Sequence, residues 1–527
     1  MTRKRTWPPW QLATGVGLAA ALAHAQSAWF SYTDLDDRDL IVDDQAFLAR
    51  PANLARAFGR TYMHVVDPAH AYYRPLVTVS YGLDAQWSGA RPLGYHVTNI
   101  ALHAVATVLF LAVLRRFALP PAVAALGALV FAVHPALAAA VAWIPGRNDS
   151  LLAVFSLAAW LMFLRDRARP SRVDRALHLG LFALALLTKE TAIALPLVWI
   201  AQALLVDAGA RGGEAAPAPG ERTPPAPDER GRAFGLDAVV YLAGWAGLVG
   251  GAVLVHRLLS GGVSAVSVGA LAGNVPQLFA SLGKVVFPLD PAVLSAPEDL
   301  SPWPGVVAAA GFAAAARFVP GVRWRVVALG GAAFVLLMMP VLAVPGTLVL
   351  DNRLYLPACG VLLAIAEIVR AAVFERPAPV EVPERRLFVA LSAVVVLVLA
   401  VVTSGYEASF HDPRAFARAA VAGAPHSALA HFCLGKAYQT GGEEDRAIAE
   451  YETSLALGPG EVVHNNLAVI HMAHARWADA ERELHEELAT NPRYARAYDN
   501  LAIVLRREGR EEEAQAATDT ARQLEAE

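Results

Sequence analysis

Apolar runs separated by short polar breaks recur over the first four-fifths of this 527-residue chain. A helix needs about 20 mostly apolar residues to cross a hydrocarbon core of roughly 30 Å. Windows that meet or nearly meet that test fall near residues 10–30, 94–116, 121–143, 149–165, 175–206, 236–257, 304–319, 326–345, 354–373 and 387–405. The run 175–206 is too long for one crossing and is interrupted by Thr188-Lys189-Glu190-Thr191, so it reads as two short helices with a polar turn between them. The pattern predicts an all-α polytopic bundle of eleven spans over residues 1–405. The first window follows Arg3-Lys4-Arg5 and carries Ala23-His24-Ala25, which imitates a signal-peptide cleavage site. It is long for a signal h-region and reads as a retained helix.

Lys and Arg at span ends set orientation. Arg3-Lys4-Arg5, Arg115-Arg116, Arg165 to Arg175, the segment 207–235, Arg317 to Arg325 and Arg385-Arg386 fall on one face, which is therefore expected to be cytoplasmic. The opposite face receives the loop 31–93, the turn Trp143 to Asp149, Lys189-Glu190, Asp351 to Arg353 and the C-terminal tail. Segment 258–303 must begin and end outside for this count to close, and its Gly, Ser and Pro content suits a re-entrant or interfacial helix. Segment 207–235, rich in Pro, Gly and charge, is expected to be a disordered cytoplasmic linker.

From residue 406 the pattern changes. Leu434, Leu467 and Leu501 repeat at a spacing of 33 and 34, as do Ala447, Ala480 and Ala514, with Leu434-Gly435-x-x-Tyr438, Ala447-x-x-x-Tyr451 and Pro459 around the first of them. A period of about 34 with a small residue where paired helices touch is the tetratricopeptide (TPR) signature. Residues 406–527 are expected to form a TPR α-solenoid of a half repeat plus three repeats.

Composition agrees: 56% of residues are hydrophobic and only 17% charged, against roughly a quarter charged in soluble domains. A net charge of −3 offers no bulk attraction to nucleic acid. The two cysteines, Cys359 and Cys433, lie in different regions, which argues against a structural disulfide or a cysteine metal site. Richness in Ala, Arg and Pro points to a GC-rich bacterial source, and the expected location is a bacterial cytoplasmic membrane, with the N-terminus inside and the tail periplasmic or extracellular.

Ionisable residues at membrane level are costly and therefore functional candidates. Asp36 and Asp37 follow the first span in a loop that also holds Asp34 and Asp39. Such carboxylates could bind a divalent cation through oxygen, or take a proton from an acceptor hydroxyl; a solvated acidic loop accounts for them too. Arg74, beside Tyr72 and Tyr73, suits a phosphate group, since guanidinium matches two phosphate oxygens, or an interfacial aromatic belt. His96, Asn99 and His103 share one helix face and are expected to bond to a neighbouring helix. Pro135 after His134 should break its span, and Gly146-Arg147-Asn148-Asp149 should turn the chain back into the membrane. Lys189-Glu190 could neutralise itself at its hairpin.

In register, these strings resemble one family. Asp36-Asp37, Tyr73-Arg74-Pro75-Leu76, Gly94-Tyr95-His96-x-x-Asn99-x-x-x-His103, His134-Pro135, Val141-Ala142-Trp143-x-x-Gly146-Arg147-x-Asp149, Leu187-x-Lys189-Glu190-Thr191 and Arg353-Leu354-Tyr355-Leu356-Pro357 are similar to the transmembrane O-mannosyltransferases that carry TPR repeats. The resemblance implies a C-type glycosyltransferase fold, a sugar carried on a polyprenyl or dolichyl phosphate, and a protein hydroxyl as acceptor, with the TPR tail as a candidate acceptor- or partner-holding arm. It makes Asp36 or Asp37 the catalytic base, Arg74, Arg147, Lys189 and Arg353 candidates for the donor phosphate, and Tyr73, His96, His134, Asp149 and Glu190 supporting residues. One departure is that the family usually carries Glu where this chain has Ala139. That substitution motivates a competing expectation, a catalytically degenerate membrane anchor displaying TPRs. A transporter would call for inverted repeats around mid-membrane charge, and the sequence has no such symmetry.

Overall fold

A computed structural model of the chain describes residues 8–62, 72–207, 227–260, 267–288, 291–345, 350–375, 382–458, 460 and 462–526. Its helices divide into two units, Met1–Pro291 with Leu300–His411, and Ala292–Asp299 with Asp412–Glu527. The first unit reaches His411, since the last apolar helix runs on to Glu407 and a 3-10 turn continues to Phe410. No strand occurs among the described residues.

The first unit is built from α1 (Pro9–Ala23), α2 (Pro75–Ser88), α3 (Pro92–Arg116), α4 (Pro121–Ala132), α5 (Pro135–Ala142), α6 (Arg147–Ala168), α7 (Arg172–Leu186), α8 (Leu195–Gln202), α9 (Pro227–Ser260), α10 (Val275–Val286), α11 (Trp303–Phe318), α12 (Trp324–Leu342), α13 (Pro357–Phe374) and α14 (Val382–Glu407). Proline sits in the first turn of most of them, where its missing N–H costs nothing and its fixed φ is already helical. Every window expected to span carries helix. Against the eleven expected, six helices among the described residues are long and apolar enough to cross on their own, or seven if α4 and α5 form one bent span. The shortfall lies in short α1, α7 and α11 and in α6, whose first turn is charged. Between 258 and 303 the described residues hold only short helices, 268–273 and α10. The expected linker 207–235 lies outside the described residues over 208–226, and its last part is already helical in α9.

Pro135 bends the α4–α5 pair by 56°. Carbonyls freed inside a hydrocarbon layer must find partners within the protein. The Ala132 oxygen accepts from His24 Nε2 at 2.9 Å and His103 Nε2 at 3.0 Å, and the Val133 oxygen from the Thr403 hydroxyl at 2.7 Å. His134 Nε2 donates to the Val285 carbonyl at 2.8 Å. His24 also pairs with the buried Glu407, which accepts from Gln26 at 2.8 Å. Side chains of α3, α14 and the residue that follows α1 thus converge on one break.

In the second unit, α15 (Pro413–Gly423) precedes three helix pairs: α16 (Ala428–Thr440) with α17 (Glu444–Leu457), α18 (Val463–Ala473) with α19 (Trp477–Thr490), and α20 (Ala495–Arg507) with α21 (Glu511–Ala526). Ala447, Ala480 and Ala514 are fully buried where the helices of each pair meet. Gly435 lets the Tyr451 ring come so close that a Cβ would stand 2.6 Å from it. Pro459, part of the repeat signature, lies outside the described residues.

Helices α12 and α13 touch at Gly330 and Gly360, where a Cβ on either would stand 2.4 or 2.5 Å from the other's carbonyl oxygen. Gly360→Ala is expected to destabilise the detergent-solubilised protein by about 1–3 kcal/mol, as overpacking does. Gly331→Ala, which meets open space, should leave the melting temperature within error of the parent.

Candidate active site

After α1 the chain turns at Asp34, whose φ of +60° is in the left-handed region, which aspartate tolerates better than most side chains. Residues 36–42 then wind into helical turns, so consecutive carboxylates leave the backbone about 100° apart. Asp37 goes inward and is 1% exposed. Its Oδ2 accepts from the Thr33 backbone N–H at 2.5 Å and the Thr33 hydroxyl at 2.6 Å, and that hydroxyl accepts from the Trp143 indole N–H at 3.1 Å. Its Oδ1 is buried without a hydrogen-bond partner among the described residues. Asp36 stays half-buried, with Asp39, Arg74 and Arg353 as its charged neighbours. Burial pushes the Asp36 carboxyl up to about 6, with Asp39 adding and the two arginines opposing. Burial also pushes Asp37 up to about 7, against its two bonds from Thr33.

Arg74 stands just before α2. Its guanidinium makes a two-point bond to Glu190, at 3.0 and 2.5 Å, and lies over the rings of Tyr72 at 4.4 Å and Tyr62 at 5.3 Å. The Leu76 N–H bonds the Leu187 carbonyl at 3.2 Å, fastening this corner of the loop to the end of α7. Lys189 and Glu190 each take a different hydrogen-bonded partner. Lys189 is buried and donates to Asn148 at 2.8 Å and Asp149 at 2.6 Å, and Asp149 accepts from Asn352 at 2.7 Å. Extended backbone at Lys189 followed by a 3-10 turn sends the two side chains apart. Arg353 faces the same group, with Asp149, Tyr72, Arg74 and Glu190 around it. A small cavity here, about 10 Å³ and so room for about one water, is lined by Asp149, Lys189 and Arg353 together with Leu337, Val341 and Leu356.

Asp36, Asp37, Arg74, Asp149, Lys189, Glu190 and Arg353 therefore belong to one connected charged group. Arg147 is placed differently. It is fully buried and donates to Asn99 at 2.7 Å, to the Tyr95 carbonyl at 2.6 Å and to Ser80 at 3.3 Å, while pairing with Asp84 at 2.5 Å. Its donors are taken up inside the bundle. Tyr73 bonds the Phe58 carbonyl at 3.0 Å, His96 packs edge-on against Phe30, and His134 serves the helix break. Asn99 reaches the carbonyls of Val141, Trp143 and Ile144, as its helix face suggested. Ala139 is buried within α5, all of whose residues are buried. The site also uses Thr33, Tyr62, Trp143, Asn148 and Asn352, polar or aromatic neighbours whose roles no spacing signals. Among the described residues no group of three or more His, Cys, Asp or Glu is placed to hold a metal ion. A cation at Asp36 would share that carboxylate with two arginines.

No protein-family model matches the chain. It is similar to Protein O-mannosyl-transferase Tmtc1 of Drosophila melanogaster, at 39% identity over 170 residues that cover 32% of this chain and 19% of the fly protein. It is 35% identical over 130 residues to Protein O-mannosyl-transferase TMTC3 of Homo sapiens, covering 24% of this chain and 14% of the relative. For the human Protein O-mannosyl-transferase TMTC4 the figures are 30% over 216 residues, 35% and 28%. Each alignment thus spans less than a third of the relative's own length.

The raised carboxyls make a stability prediction. A folded-state value above the unfolded 3.8 means that the folded protein binds more protons between about pH 4 and 7, so stability falls as pH rises through that window. Asp36→Asn and Asp37→Asn should each raise the melting temperature at pH 8, the gain fading toward pH 4 in detergent melts.

Proposed function

We propose that this chain is a multi-pass membrane glycosyltransferase that moves a sugar, mannose or a similar hexose, from a polyprenyl-phosphate donor to a protein hydroxyl. The observation that carries the proposal is the charged group itself, in which Lys189 and Arg353 stand beside the apolar side chains of Leu337, Val341 and Leu356 and close to the carboxyl-rich turn at Asp36. A polyprenyl phosphate has that shape of chemistry, a greasy tail with a compact anionic head. The names of the similar proteins supply the reaction class.

In this reading the acceptor hydroxyl attacks the anomeric carbon from the face opposite the phosphate. The carbon–oxygen bond to phosphate breaks, the polyprenyl phosphate leaves with the electron pair, and the configuration inverts. A carboxylate of the Asp36–Asp37 pair takes the hydroxyl proton, with a pKa raised toward neutrality as a general base requires. Arg353 and Lys189, with Arg74 if it releases Glu190, stabilise charge growing on the phosphate. Arg147 acts at a distance by holding α2, α3 and α6 together. These cations fill the place a divalent metal would take on the phosphate; a metal at Asp36 would be a second way to the same charge balance. The donor side is the outer face of a bacterial cytoplasmic membrane, and the TPR tail holds the acceptor protein.

Ala139 motivates a second reading, an anchor with a silent catalytic half. Transfer of labelled sugar from polyprenyl-phosphate mannose in vesicles separates the two. Active enzyme is expected, and the Asp36→Asn, Asp37→Asn double variant should lose about 10²–10⁴-fold, the usual worth of a positioned base. Arg353→Ala should raise the donor KM about 10- to 100-fold, the loss of one charge-assisted bond. Transfer undiminished in the double variant would overturn the assignment of the pair.

A further inference from the structure

We infer that the two adjacent carboxylates divide their work: Asp36 meets the acceptor, and Asp37 is a positioning residue, locked by Thr33 and Trp143, that holds Asp36 toward Arg74 and Arg353. The inference rests on the glycosyl-transfer reading above.

A base must come within about 2.6–3.2 Å of the proton it takes. Asp37 is 1% exposed. One of its oxygens is held by two bonds from Thr33, and the other is buried. A hydroxyl could reach it only by unwinding the turn 36–42. Asp36, one residue earlier, is half-buried and is the member of the pair that faces two of the cations assigned to the phosphate. The acceptor oxygen must lie between base and phosphate-bearing carbon, and Asp36 stands beside that path.

The lock has a rigid foundation. Trp143 ends α5, and its carbonyl and those of Val141 and Ile144 accept from Asn99 of α3. Gly146 lets this turn fold so tightly onto α5 that a Cβ there would stand 2.5 Å from the Ala139 oxygen. The chain from Asn99 through Trp143 and Thr33 to Asp37 therefore ties the external turn to a part of the bundle with little freedom. Asp37 is also the more conspicuously strained of the two, with an orphaned oxygen and Asp34 and Asp36 nearby. That cost is tolerable for a residue whose geometry matters more than its charge.

Charge and geometry separate experimentally. In Asp37→Asn the amide oxygen can still accept both Thr33 bonds, so the lock survives and the charge is lost. Vesicle assays with polyprenyl-phosphate mannose should show kcat within about tenfold of the parent. The acid limb of the profile should stay in place, because Asp37, with the higher value of the two, is still protonated where Asp36 titrates. Asp36→Asn should lose about 10²–10⁴-fold in kcat. Thr33→Val and Trp143→Phe should each lower kcat about tenfold with donor KM unchanged, as small misplacement of a reacting group does. Thr33→Ser should restore most of the loss, which excludes misfolding as its cause. An Asp37→Asn variant as damaged as Asp36→Asn, or a Thr33→Val variant kinetically identical to the parent, would overturn the division of roles. Full activity in Asp36→Asn would instead overturn the transfer reading itself.

Discussion

The arrangement of the first unit depends on one buried cation. Arg147 sits in the first turn of α6 with no exposure, and its guanidinium is shared among Asp84 of α2, Asn99 and the Tyr95 carbonyl of α3, with the Tyr81 ring 4.7 Å away. An arginine taken out of water is tolerated only when its donors are filled and its charge is matched. Asp84 is itself held by the Thr98 hydroxyl at 2.6 Å. Because α2 belongs to the segment between α1 and α3, this network turns a connecting segment into a docked element, and Arg74 at its start is delivered beside Glu190. The charged group is thus positioned by a network buried inside the bundle.

That group is ordered by alternation of sign. Arg74 answers Glu190, Lys189 answers Asp149, and Asn352 bridges to Asp149. In the proposed reaction a phosphate would enter a setting where positive charge is already oriented but also already partnered, so its binding would be an exchange of anions rather than a neutralisation of bare charge. Such exchange keeps the desolvation cost low in both states.

The apolar windows were readable because a span must be long and uniformly greasy, and each became helix. Their number as crossings was less readable, since α1, α7 and α11 fall short and α6 begins with buried Arg147, Asn148 and Asp149. Helix α2 passed unnoticed inside the loop, though Pro75 at its start and Gly89 at φ +60° beyond its end are both helix-boundary signals. The clustering of Asp36, Arg74, Lys189 and Arg353 followed from topology alone. What topology could not tell is which way a side chain turns. Arg147 shares a face with Arg353 in a span diagram yet spends its donors inward, and Lys189 and Glu190, neighbours in sequence, serve different partners. Thr33 carries no motif and Trp143, though it stands in one, gives no sign of its partner, because a hydrogen-bond relay has no spacing rule across separate elements.

The break at Pro135 bears on how the chain is assembled. Its exposed carbonyls are capped from His24 near the beginning of the bundle and from Thr403 near its end, and His24 is paired with Glu407. During synthesis, α4 and α5 enter the membrane hundreds of residues before Thr403 exists. Until the last helix inserts, the Val133 oxygen lacks its partner and His24 its counter-charge. Closure of this capping therefore waits on α14, so the kink between α4 and α5 is completed by the helix that comes last in the first unit.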